Sequence, residues 1–347
     1  MKKNTTSLLL ILLFSATINA QHNFKNLWLK VEQLELDGLP KSALKIVDAI
    51  FAKADEENNS PQIIKSLFYK SKFALTLEEN AQIKVINSFK THISKSAFPT
   101  KNVLQNILAN LYWQYFNENR YKFYNRTKTD QKVDLNDFRT WDLDRLFKEI
   151  HQHFKASLEN ADELQKIEIS TFADILQINK ESRVYRPTLF DFLANNTLHF
   201  YKSSETSITR PSYQFKIDNP AFLRDAKTFL DLQISSKDSL SLQLNALKIY
   251  QKLIYFHAKK ANKNALALID IKRLNFINLH AVFNQKENIL ESTLKASKEQ
   301  NKNHEATGLY AFEIAKAYKV QSKNKEAIRI CDKIIKRFPK SFGAKKC

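Results

Sequence analysis

Glycine is almost absent from this 347-residue chain, which contains only Gly38, Gly308 and Gly343. The GxGxxG loop for dinucleotides, the GxxxxGK[ST] loop for phosphates and the GxSxG nucleophile elbow all need glycines at spacings that these positions do not provide. Folds made only of β-strands are also disfavoured, because their tight turns recruit glycine for positive φ. The shortage therefore excludes several nucleotide-binding and hydrolase sites.

Cysteine is equally scarce, with only Cys331 and Cys347 present. A structural zinc site needs four ligands, so two cysteines do not make one. In an oxidising compartment the two thiols can pair, and we predict a disulfide between them. A catalytic thiol is not predicted.

Long apolar runs are missing, since the run from Leu8 to Phe14 has only seven residues and a bilayer-spanning helix needs roughly 20. The run follows Lys2 and Lys3 and precedes Ala20, a small residue suited to cleavage. This order is typical of an export signal. We therefore predict a signal peptide at 1–20, an exported mature chain and no membrane span.

Acidic residues are outnumbered, which gives a formal net charge of +19. Lysine supplies most of the positive charge and is spread along the whole chain, whereas arginine is the residue favoured for phosphate and base contacts. Dispersed charge indicates a solvated surface, and no nucleic-acid partner is predicted. The stretch from Ser322 to Cys347 is an exception, with nine basic and two acidic residues.

The part of the chain that follows the signal predicts a pair of helices. Apolar residues that include Trp28 and Val31 recur at three-and-four spacing, and Gly38-Leu39-Pro40 interrupts them before a second series begins at Ala43. The pair is close in length to the tetratricopeptide unit of about 34 residues. Trp28, Gly38 and Ala43 are its predicted signature.

The end of the chain repeats this pattern. One predicted helix carries Tyr318, a turn follows at 322–324, and a second helix begins before Ala327. Pro339 stands where the 34-residue unit has its terminating proline. Tyr318, Ala327 and Pro339 are therefore the predicted signature of a second tetratricopeptide-like repeat.

Helical periodicity also fills most of the sequence between these ends. Helices are predicted at about 61–78, 81–94, 101–118, 140–157, 161–178, 188–203, 221–234, 239–260, 263–283 and 286–300. Such a row predicts an all-α fold, an α-solenoid of antiparallel helix pairs. The predicted organisation is a helical lobe at 21–205, a connecting loop at 206–220 and a tetratricopeptide-like lobe at 221–347.

The last predicted helix, about 324–337, presents an apolar face with Ile328, Cys331, Ile334 and Ile335. The sequence predicts no further helix behind it to cover these residues. A helical stack needs a polar cap at each end. We therefore expect a protein partner, or further domains of the same polypeptide, to pack there.

Four groups of residues are candidates for metal, catalytic or binding sites, and each is interpreted as structural. His151 and His153 lie two apart, so a helix points them away from each other, and a solvated face is predicted rather than a metal site. The acidic residues Asp134, Asp137, Asp142, Asp144 and Glu149 are predicted to cap helices. The aromatic run Leu111–Phe116, like His199 and His257, is predicted to pack between helices. No cofactor, metal or catalytic residue is predicted.

Several stretches resemble the N-terminal helical region of large bacterial alpha-2-macroglobulin-like proteins. They are Trp28 through Ala54, Leu111-Tyr112-Trp113-Gln114-Tyr115, Thr140-Trp141-Asp142-Leu143, Arg186 through Ala194 and Phe338 through Ala344. The resemblance implies a non-catalytic scaffold ahead of β-sandwich domains in a protease-trapping endopeptidase inhibitor, in the periplasm or at the surface of a Gram-negative bacterium. The Cys-x-Glu-Gln thioester motif of that family is missing, because Asp332 and Lys333 follow Cys331.

Two alternatives remain open from the sequence. A stand-alone tetratricopeptide-like adaptor would bind a protein or peptide in its concave groove. A helical exported enzyme is the other alternative, and a fold class does not by itself decide between them.

Overall fold

The computed structural model describes residues 24–124, 134, 136–179, 181–203, 205 and 213–347. Residues 1–20, the predicted signal peptide, lie outside the described residues. Sixteen α-helices and three short 3-10 turns make up the regular structure of the described part, and no strand is found there. The predicted all-α fold class is confirmed.

The helices follow one another with short links. They are α1 (24–36), α2 (Pro40–Glu56), α3 (Ser60–Leu77), α4 (Ala81–Lys95), α5 (Thr100–Tyr124), α6 (Leu143–Ser157), α7 (Ala161–Leu164), α8 (Ser182–Tyr185), α9 (Leu189–Tyr201), α10 (Ala226–Leu230), α11 (Leu242–Lys259), α12 (Lys263–His280), α13 (Lys286–Gln300), α14 (Thr307–Val320), α15 (Asn324–Arg337) and α16 (Phe342–Lys346). The 3-10 turns are Phe138–Thr140, Ile169–Phe172 and Pro220–Leu223.

The chain divides into two compact units, 1–159 with 170–177 and 160–169 with 178–347. This division falls earlier than the loop expected at 206–220, of which 206–212 lie outside the described residues. The lobe limits given above stay a prediction.

In the first unit, consecutive helices pack in pairs from α2 to α6, and α3 also contacts α5. Helix α1 joins this stack through Trp28, whose indole donates a buried hydrogen bond of 2.7 Å to Gln62 of α3. Gln62 in turn donates to Asp174 at 2.7 Å, which fixes residues 170–177 to the same unit. The unit therefore has the arrangement of an α-solenoid, with each helix burying its apolar face against a neighbour.

In the second unit, α11 packs on α9 and α12, and α14 packs on α12, α13, α15 and α16. The buried side chain of Arg273 organises its centre. The guanidinium pairs with Asp270 and donates to the backbone carbonyls of Phe222 and Arg224. It also lies over the Phe229 ring, 4.6 Å from the ring centre. One side chain thus fastens the 3-10 turn at 220–223 and α10 to α12.

Asparagine and other residues replace glycine at the turns between helices. The link before α2 uses Gly38 with φ +70°, but the other left-handed residues are Asn58, Asn80, Asn160, Ala261, Gln285 and Ser322, with φ between 52 and 62°. A left-handed residue commonly ends a helix, and asparagine tolerates this conformation better than other non-glycine residues. Helix–turn–helix links are therefore compatible with a chain that contains three glycines.

Ala261, between α11 and α12, has φ +52° and an exposed side chain. We expect Ala261→Gly to stabilise the chain by about 0.5–1 kcal/mol, because glycine adopts this conformation without the steric cost that alanine carries. Urea denaturation measures the change. The control, Ala258→Gly in the exposed last turn of α11, should destabilise the chain by about 0.5–1 kcal/mol. Equal signs for the two variants would contradict the explanation.

Two predicted helices are broken by long-range contacts. The helix expected at 161–178 ends at Leu164, because residues 167–169 pair with residues 187–189 through hydrogen bonds of 2.9 Å. The helix expected at 221–234 is replaced by the turn at 220–223 and α10. There the Arg273 guanidinium donates hydrogen bonds to the backbone carbonyls of Phe222 and Arg224, and Asp225 caps the start of α10.

The expectation that no helix follows residue 337 was wrong. Helix α16 forms after Ser341, whose hydroxyl accepts a hydrogen bond from the backbone N–H of Ala344. It packs against α14 and α15, where Ala311, Ile334 and Ala344 form a small buried cluster. Sequence periodicity cannot detect a helix of five residues, since it spans little more than one turn.

Candidate functional site

An open groove in the first unit has a cavity of about 310 Å³, a size typical of a small-ligand or peptide side-chain pocket. Its walls come from α3, α4, α5 and the 3-10 turn after α5. The apolar lining consists of Leu75, Val85, Ile86, Leu111, Tyr115 and Phe138, and the polar lining of Gln82, Gln114 and Glu118. Such a lining suits an apolar side chain flanked by polar backbone groups.

The aromatic run forms the packed support of this groove. Tyr112, Trp113 and Phe116 are buried, and their rings contact those of Trp141 and Phe147 at centroid distances of 5.1–5.8 Å. Burial raises the pKa of the Tyr112 hydroxyl well above its usual range. The prediction that these aromatics pack between helices is confirmed, and Leu111, Gln114 and Tyr115 of the run reach the groove.

The C-terminal helix pair α14–α15 forms a second candidate surface. Tyr318 and Ala327 are half-buried on either side of the turn at Ser322, and Pro339 is exposed two residues after α15 ends. Of the apolar face that the sequence predicted, Ile334 is buried, whereas Ile328 is 62 % exposed and Ile335 is 42 % exposed. Helix α16 therefore covers only part of α15.

The two thiols lie next to each other at this end of the chain. Cys331 and Cys347 are both half-buried and carry free thiols in the structure. Burial, together with a hydrogen bond between the two thiols, raises the pKa of Cys347 to about 12. A thiol held in its protonated form is a poor nucleophile. The disulfide between Cys331 and Cys347 stays a prediction, and the two thiols lie next to each other in the structure.

The predicted signature of the first repeat lies at the start of the first unit. Trp28 packs against Tyr69 of α3 with a centroid distance of 4.8 Å, and Lys65 lies 4.3 Å above the indole. Gly38 takes the left-handed conformation in the turn, and Ala43 is fully buried in α2. These residues pack at the start of the first unit, and their role as a repeat signature stays a prediction.

His151 and His153 are both half-buried. The solvated face predicted for His153 was wrong. The ring of His153 contacts Gln105 of α5 through Nδ1, and its Nε2 lies 3.5 Å from Glu149. The hydrogen bond to His153 lowers the pKa of Glu149. His199, predicted to be packed, is exposed at the end of α9. Within the described ranges, no group of three or more His, Cys, Asp or Glu residues could hold a metal ion.

Two of the five acidic residues act as caps, whereas the capping role predicted for Glu149 was wrong, because Glu149 lies inside α6 and contacts Arg145 and His153. Asp142 accepts a hydrogen bond of 2.8 Å from the Arg145 backbone at the start of α6. Asp137 caps the 3-10 turn and pairs with the Arg139 guanidinium at 2.8 Å. The capping prediction is confirmed for these two carboxylates.

A buried pair that sequence reasoning missed links α9 to α11. Asp191 Oδ1 lies 2.7 Å from His257 Nε2, and both side chains are almost fully buried. Asp191 also completes a capping box with Thr188. Thr188-x-x-Asp191 is a recognisable capping signal, but nothing local indicates a partner 66 residues away.

Comparison with known proteins gives no match for this chain among protein-family models, curated proteins or solved structures. Separately, none of the helices that the structure describes is both long and apolar enough to cross a membrane.

Proposed function

We propose that the chain is a non-catalytic helical scaffold that works through protein–protein contacts. The single observation that carries this proposal is the amphipathic helix α15, which leaves Ile328 and Ile335 in solvent beside the buried Ile334. Unpartnered apolar side chains on one helix face favour contact with a protein surface. The two thiols next to this face are half-buried, and burial raises the pKa of Cys347, which suits packing better than nucleophilic chemistry.

The resemblance to alpha-2-macroglobulin-like proteins gives the proposal its specific form. The chain would be the exported N-terminal helical part of a protease-trapping endopeptidase inhibitor, in the periplasm or at the surface of a Gram-negative bacterium. In this form, α15 packs against a downstream domain of the same polypeptide. The segment from Ser322 to Cys347 has nine basic and two acidic residues, so the complementary surface is expected to be acidic.

The mass of the native polypeptide tests this form directly. An antibody raised against the chain should detect, in the exported fraction of the source cells, a polypeptide much larger than the 40.5 kDa of these residues. An antigen no larger than 40.5 kDa would contradict it.

A double substitution, Ile328→Glu with Ile335→Glu, tests the contact itself. In the isolated chain both side chains are exposed, so the unfolding midpoint should change little. In the native polypeptide the substitutions should expose the region around α15 to protease, because burying one isoleucine stabilises a contact by about 1.5–3 kcal/mol. Limited proteolysis of the exported fraction measures the cleavage rate.

The matched control for that experiment is Leu279→Glu, since Leu279 is also exposed, at 73 %, in the same unit. It should leave the cleavage rate unchanged. Equal cleavage rates for the double variant and the unsubstituted polypeptide would rule out a contact at α15.

The groove in the first unit favours a second candidate function, a stand-alone adaptor that binds a protein or peptide. Its apolar walls and the polar Gln114 and Glu118 at its edge suit an extended peptide with an apolar anchor. A native antigen of about 40.5 kDa would favour this candidate.

A further inference from the structure

A small cavity in the second unit brings together several cationic and polar groups that the scaffold proposal does not use. It lies among α8, α9, α11 and α12, and its volume of about 10 Å³ fits one water-sized atom. Arg186, Asn195, His257 and Lys272 line it together with Asp191.

The positive charge in this cavity exceeds the negative charge. Asp191 is the only carboxylate in the lining, and its oxygens already accept from the Thr188 backbone at 3.1 Å, the Thr188 hydroxyl at 2.8 Å and His257 at 2.7 Å. Among the described residues, Lys272 donates to the neutral amide oxygen of Asn195, at 3.3 Å. Neither Lys272 nor Arg186 forms an ion pair within the part of the chain that the structure describes.

Burial makes this arrangement costly in the absence of a ligand. The pKa of Lys272 is lowered to about 8. Burial is the largest cause, and the nearby positive charges of Arg186 and Lys202 add to it. A half-buried cation with no counter-ion is unfavourable, and a bound anion removes the penalty.

One residue of the lining carries an unpartnered polar atom. His257 is 2 % exposed, and its Nδ1 has no hydrogen-bond partner in the structure. The other ring nitrogen is held by Asp191, so the orientation of the imidazole is fixed.

We propose that this cavity is a binding site for a small oxyanion, either a carboxylate or an inorganic phosphate, held by Lys272 and Arg186. One oxygen of the anion enters the cavity on the His257 side, while the remainder stays at the opening beside the exposed Arg186. Charge-assisted hydrogen bonds from an ammonium and a guanidinium are the strongest that proteins offer to such groups.

Calorimetric titration of the full chain with sodium phosphate and, separately, sodium acetate tests the site, with ionic strength held constant by sodium chloride. Saturable binding of either anion is expected. Saturation by acetate identifies a carboxylate ligand, and saturation by phosphate alone identifies a phosphoryl ligand. Lys272→Gln and Arg186→Gln should each weaken the affinity about tenfold or more.

The matched control is Lys263→Gln, which removes the same charge from an exposed position on the same helix and should bind as the unsubstituted chain does. Without anion, Lys272→Gln should unfold at the same temperature as the unsubstituted chain or higher, because it removes a half-buried cation that has no counter-ion. Either of two results would overturn the proposal, the absence of saturable binding of both anions or equal affinity in Lys272→Gln.

Discussion

Replacing Arg273 with Met is expected to lower the free energy of unfolding by about 3–5 kcal/mol. Arg273 is fully buried, and its loss leaves the Asp270 carboxylate without its cationic partner. The carbonyls of Phe222 and Arg224 lose their hydrogen-bond donor as well. Urea denaturation followed by circular dichroism measures the change.

Two further variants separate the buried network from a general effect of losing an arginine. Arg224→Met removes an exposed guanidinium close by and should change stability by no more than about 0.5 kcal/mol. Asp270→Leu combined with Arg273→Met should recover part of the loss, because no charge is then left buried alone. A loss below about 1 kcal/mol for Arg273→Met would contradict the role assigned to this network.

Replacing Gly343 with Ala is expected to displace α16 from α14 and to destabilise the chain by about 1–3 kcal/mol. A Cβ at this position would lie 2.6 Å from the Cα of Gly308 and 2.8 Å from the backbone nitrogen of Leu309. Backbone atoms cannot move aside as a flexible side chain does, so the helix itself must shift. Cys347 directly follows α16, and the shift should expose both thiols.

This displacement is measured by the rate at which a disulfide reagent such as dithionitrobenzoate modifies Cys331 and Cys347. The protein is prepared under reducing conditions, so that both thiols are free at the start. Gly38→Ala is the matched control, since nothing lies within 4 Å of its added Cβ and only its φ of +70° is unfavourable. It should lower stability without changing the thiol reaction rate. Unchanged thiol reactivity in Gly343→Ala would contradict the close approach of α14 and α16.

Helices with a clear apolar period and a local start signal were predicted nearly to the residue. The helix expected at 286–300 is α13, and that expected at 324–337 is α15. Pro61 lies in the first turn of α3, where proline is favoured, and the cap is Asn59, whose side chain accepts a hydrogen bond from the Gln62 backbone. These elements depend on contacts within a few residues, which the sequence displays directly.

The candidate sites were predicted less well, because they depend on contacts between distant residues. The sequence located the aromatic run but not the groove beside it, whose wall also needs Phe138. It gave His257 a packing role without its partner Asp191. That Cys331 and Cys347 lie next to each other could be predicted from the sequence, since only a short segment separates them.

The sequence by itself determined that this protein is helical, where most helices begin, and that its turns avoid glycine, because periodicity, capping and backbone preference are local properties. The tertiary structure alone decided where helices are interrupted and which cations remain unpaired. Arg273 breaks the helix expected at 221–234 from 49 or more residues away. Hydrogen bonds over such distances outweigh local helix propensity, which amounts to less than about 1 kcal/mol per residue.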